Sequence, residues 1–144
     1  MILRLLAIFS RVLSFYLKMP ANFAMFDLLD PGYWFDILAV YEIKKLKFPT
    51  VQNNKNWENL CRNLRKEISE DYFWDIWESE FYRSLVKSNE RVFDLVDLAK
   101  KDEIKASEVD YFNHKRYFAK VALQNHFFPN LEVTEVKIGY EKKK

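Results

Sequence analysis

The stretch DYFWDIWESEFYR, residues 71 to 83, decides the fold, because six of its thirteen side chains are aromatic and four are carboxylates. On a helix at 100° per residue, Phe73, Trp77 and Phe81 fall on one side, within an arc of about 120°. An apolar stripe of this kind is typical of a helix that faces a protein core. The alternative interpretation is an aromatic cradle for a flat ligand.

The same arc continues as far as Ala99, so residues 71 to about 101 are predicted to form one long helix. Tyr82 and Phe93 belong to a second apolar stripe, which indicates neighbours on two sides, as for the central helix of a bundle. The segment KSNER, residues 87 to 91, is the predicted position of a kink, because serine and asparagine compete for backbone hydrogen bonds.

A second helix is predicted over residues 31 to 47. Asp30 is the expected N-cap and Pro31 the first helical residue. Pro49 is expected to end this helix. The following TVQNNKN, residues 50 to 56, is rich in turn formers and is predicted to be a loop.

Residues 55 to 69 form the clearest helical pattern, with apolar side chains at i, i+3, i+4, i+7 and i+11. Cys61 lies within that stripe, so it is interpreted as a packed, inert thiol rather than a catalytic one. It is also the only cysteine, which excludes an internal disulfide and is compatible with a reducing compartment.

The last predicted helix covers residues 107 to 127 and begins with Ser107-x-x-Asp110, an approximation of a capping box. Arg116 lies in the middle of its apolar stripe. A charge there must be paired or must reach solvent, so we expect an ion pair with an acid of the 71–101 helix. The alternative is an arginine that binds an anion.

Together these patterns predict an all-α protein, a single compact bundle of about five helices with one long central helix and a short extended C-terminal tail. The length of 144 residues, with 49% hydrophobic and 31% charged side chains, suits one globular domain. Its expected parts are an N-terminal helix (1–18), the bundle (19–130) and an extended, partly disordered basic tail (131–144). Residues 131–140 alternate loosely and fit either a strand or an extended arm.

The N-terminal segment MILRLLAIFSRVLSFYLKM places Arg4, Arg11 and Lys18 on one narrow helical face, because they are spaced by seven. Its expected role is to pack on the domain or on another subunit, with the basic stripe in contact with solvent or a partner. The alternative is a basic amphipathic helix on a membrane surface. Arg11 interrupts the apolar run, which argues against a secretory signal and a membrane span. Met19 is an alternative start of the protein.

A candidate polar site follows from the acidic stripe of the opening stretch. Asp71, Asp75 and Glu78 project from one side of the predicted helix, beside Tyr82, and Arg116 is the expected cation near them. Residues 71 to 110 carry eleven acidic and six basic side chains, so this part of the chain is distinctly acidic.

The sequence argues against several kinds of chemistry. Two glycines cannot form a phosphate-cradling loop of the usual kind. His114 and His126 stand about 18 Å apart on one helix and cannot share a metal. Lys115, Arg116 and Lys120 alternate with aromatic residues, but this is a weak signal for nucleic acid in a chain of net charge +2. No catalytic residue, metal or cofactor is predicted.

The favoured hypothesis is therefore a non-catalytic helical interaction or scaffold protein, cytoplasmic and oligomeric, with a protein partner or self-association. One alternative is a peripheral membrane protein anchored by residues 1–18. The other is an enzyme or small-ligand binder with a helix-bundle pocket near the acidic stripe. Nucleic acid is not an expected partner.

Overall fold

Five helices make up most of residues 30–131, the part of the chain that the computed structural model describes. They are α1 (Pro31–Lys47), α2 (Val51–Ile68), α3 (Glu70–Glu78), α4 (Glu80–Lys100) and α5 (Ala106–Phe127). The predicted all-α fold is thus confirmed. The predictions for residues 1–18 and for the tail beyond residue 131 lie outside the described residues, and the division into domains stays a prediction.

Helix α1 is the most enclosed of the five, since it packs against α2, α4 and α5. Every residue of α1 from Trp34 to Tyr41 is buried, so the rest of the protein covers this part of the helix on every side. The predicted start is confirmed, because the Asp30 carboxylate accepts the backbone N–H of Tyr33 at 3.1 Å and Pro31 is the first helical residue.

The predicted helix over residues 71–101 is wrong in one respect, because it divides at Ser79 into α3 and α4. The Ser79 backbone is extended, and its Oγ accepts the N–H of Tyr82 at 3.2 Å while donating to the carbonyl of Ile76 at 2.6 Å. Ser79 therefore ends α3 and is the N-cap of α4. Helix α4 runs through residues 87–91 without interruption, and the predicted kink there stays a prediction.

Two other helix starts differ from the prediction. Helix α2 begins at Val51, inside the predicted loop, because Thr50 is its N-cap and accepts the N–H of Asn53 at 3.1 Å. Helix α5 begins at Ala106 after Lys105, which provides no side-chain cap, so the capping box at Ser107 does not form. At α2, turn-forming residues thus make up the first turn of a helix because a good N-cap, Thr50, precedes them.

Ser69 joins α2 to α3 in a conformation, φ 85° and ψ 154°, that is normally adopted by glycine. Replacing Ser69 with glycine is expected to raise the free energy of unfolding by about 1 kcal/mol, because the strain of the Cβ is removed. The glycine variant loses only the hydrogen bond that Ser69 Oγ accepts from the N–H of Tyr72, which is long at 3.4 Å. Urea unfolding followed by circular dichroism measures the change.

Alanine at position 69 is the matched control. It keeps the Cβ and also loses the cap, so we expect it to lower stability by about 0.5–1 kcal/mol. A glycine variant no more stable than the alanine variant would show that the backbone at Ser69 carries no strain.

Phe73 and Tyr82 of the opening stretch lie in the core, and its other four rings are half-buried against it. Phe35 of α1 is at the centre, with its ring centroid 6.1 Å from the rings of both Phe73 and Tyr82. Trp74 and Trp77 are half-buried and stack edge to face at 5.5 Å. The rings thus hold α1, α3 and α4 together.

Candidate functional site

Four buried polar side chains form a hydrogen-bonded cluster between α1, α4 and α5. They are Asp36, Asn89, Asn113 and Arg116, which are only 4–7% exposed. Arg116 donates through Nη1 to Asp36 Oδ2 and through Nε to Asn113 Oδ1, the latter at 2.9 Å. Asn89 Nδ2 donates to Asp36 Oδ1 at 2.8 Å and to the carbonyl of Leu85 at 3.0 Å.

This cluster corrects the prediction for Arg116, whose partner is Asp36 of α1 and not an acid of the 71–101 segment. Both oxygens of the Asp36 carboxylate accept a hydrogen bond, so the two buried charges are paired and solvated by amides. A satisfied polar cluster of this kind fixes how three helices are aligned.

A second group of polar side chains lies one to two turns further along α5. Gln124 accepts the backbone N–H of Gly32 at 2.9 Å, and a Cβ on Gly32 would come within 2.6 Å of the same oxygen. Lys120 is buried, with its Nζ 4.1 Å from the ring centroid of Tyr33. Of the basic residues that suggested nucleic-acid binding, Arg116 and Lys120 are therefore inside the protein.

The acids of the predicted polar site lie elsewhere. Asp71, Asp75 and Glu78 are exposed. Within residues 30–131 no hydrogen bond or ion pair joins them to Tyr82 or Arg116. That site stays a prediction, without contacts in the described part of the chain to support it.

Tyr82 and Arg116 both bind carboxylates of α1. The hydroxyl of Tyr82 donates to Glu42 Oε2 at 2.7 Å. Burial, and then the nearby Glu42 carboxylate, raise the pKa of Tyr82 well above its usual value. Asp36 and Glu42 are six residues apart on one helix, about 9 Å along its axis, so these are two separate contacts.

Cys61 is buried, as predicted, and burial raises the pKa of its thiol to about 12. At pH 8 we expect iodoacetamide to label the folded protein far more slowly than the urea-unfolded protein. Because the thiol pKa is about 12 in the folded protein, its thiolate fraction at pH 8 is roughly a thousandfold lower than in the unfolded chain. Burial adds a steric barrier. Mass spectrometry of the labelled protein measures both rates. Equal rates in the two states would contradict the inert, packed thiol.

Large apolar side chains are exposed at the corner between α1 and α2. Leu46, Phe48 and Val51 are 72%, 54% and 71% exposed, and we call these three residues the corner patch. The sequence analysis did not single them out. The available signal was the apolar spacing around Pro49 in LKFPTV, residues 46 to 51, where a short connection must lie at the surface.

A second pair of exposed rings lies on α5. The side chains of Tyr111 and Phe118 are 57% and 50% exposed. Both already have neighbours in the chain, since Lys115 Nζ is 4.7 Å from the Tyr111 ring and His114 stacks on Phe118 at 4.5 Å. Leu46 and Val51 are more exposed than either ring, so the corner patch is the more open apolar surface.

Among residues 30–131, no three His, Cys, Asp or Glu side chains are grouped closely enough to hold a metal ion. None of the five described helices combines the length and the apolar character needed to span a membrane. Comparisons of the chain with protein-family models, with curated proteins and with solved structures found no match.

Proposed function

We propose that the protein is a non-catalytic helical interaction protein and that the corner patch is its docking surface. The observation that carries the proposal is the exposure of Leu46, Phe48 and Val51 on one corner. Fully burying a side chain of this size contributes about 1.5–3 kcal/mol, so a partner that covers all three gains a substantial part of a binding energy.

Hydrogen bonds to the backbone of Phe48 order the corner. The carbonyl of Phe48 accepts the N–H of Thr50 at 2.7 Å and Nδ2 of Asn53 at 2.8 Å. The N–H of Phe48 donates to the carbonyl of Lys44 at 2.8 Å. A surface that is already ordered loses little conformational entropy on binding, which favours affinity.

Charged side chains border the corner patch. Lys47 Nζ lies 2.7 Å from Asp94 Oδ1 of α4, and the Phe48 ring is 6.3 Å from the Phe93 ring of the same helix. An apolar centre with a polar rim is the usual composition of a protein–protein interface.

The reactive groups of the interior support a non-catalytic role. Arg116 is paired with Asp36, Tyr82 donates to Glu42, and the Cys61 thiol is held in its protonated form. The packed fold therefore accounts for the burial of each of these groups without a reaction.

Affinity capture from the cell that makes the protein tests the proposal, with full-length baits and quantitative mass spectrometry. The test bait carries Leu46→Gln and Val51→Gln, and the matched control carries Tyr111→Gln and Phe118→Gln, which remove the same number of exposed apolar side chains. We expect the main partner to be retained by the wild type and the control and lost from the test bait.

Thermal unfolding of the three baits shows whether each is folded, and all four positions are exposed, so differences should be small. A partner that stays bound to the corner variant and leaves the α5 variant would overturn the proposal in favour of the α5 rings.

A further inference from the structure

We draw no further inference here: the strongest candidate, the exposed corner patch at the connection between α1 and α2, belongs to the site already described, and nothing in residues 30–131 shows what covers it.

Discussion

Replacing Arg116 with alanine is expected to lower the free energy of unfolding by about 3–5 kcal/mol, because it leaves the Asp36 carboxylate buried without its cation. Asp36 is 4% exposed, so water cannot replace the guanidinium without opening the core. Asn113 Oδ1 also loses the hydrogen bond that it accepts from Arg116 Nε. Urea unfolding, followed by circular dichroism at 222 nm, measures the change.

The double replacement Asp36→Leu, Arg116→Met separates the lost pair from lost packing. It removes both charges together, so we expect it to be within about 1–2 kcal/mol of the wild type. Asn89 keeps its bond to the carbonyl of Leu85 in that variant. If the single alanine variant unfolds with wild-type stability, Arg116 and Asp36 are not the buried pair described above.

Replacing Phe35 with alanine is the second large effect, with an expected loss of about 3–5 kcal/mol. The side chain is fully buried, at 0% exposure, and its ring contacts Phe73 and Tyr82, while the Phe128 ring is 6.4 Å away. The alanine variant loses the transfer energy of the ring and leaves a cavity between three helices. The midpoint of urea unfolding gives the measurement.

Two variants control for this effect. Phe35→Leu fills most of the space and should lose less than about 1.5 kcal/mol. Phe118→Ala removes the same ring from an exposed position and should change stability by less than about 1 kcal/mol. If Phe35→Ala were no more harmful than Phe118→Ala, the aromatic core could not be centred on α1.

Helix type and most helix positions could be predicted from the sequence, because apolar periodicity and the Asp30–Pro31 start are local signals. The break at Ser79 was missed although a local signal exists. Ser69 and Ser79 are each followed by a glutamate and each accept the N–H of a tyrosine three residues later. The strength of the apolar stripe across residues 71–101 concealed the cap at Ser79.

The partner of Arg116 could not be predicted, for a different reason. Periodicity shows that Arg116 lies on an inward face, but it does not show which helix faces it. A usable signal was Asp36 within the apolar run of α1, since a buried charge requires an opposite one. The aromatic core was predictable as a stripe, whereas its centre at Phe35 depends on how three helices pack.

The corner patch could not be recognised before the fold was known. Leu46 and Val51 belong to helical segments whose other apolar residues are buried or half-buried, and their position at the α1–α2 connection makes them exposed. Surplus apolar surface was expected instead in residues 1–18, which lie outside the described residues. Exposure is a property of the packed chain, and composition alone does not locate it.

Quenching of tryptophan fluorescence by iodide tests most directly whether the aromatic side chains form the interior. All four tryptophans lie within the described residues. Trp34 is buried, and Trp57, Trp74 and Trp77 are half-buried. We expect a Stern–Volmer constant well below that of the urea-unfolded chain at equal ionic strength. Equal constants, measured while circular dichroism still reports native helicity, would contradict this and make residues 71–83 the exposed surface.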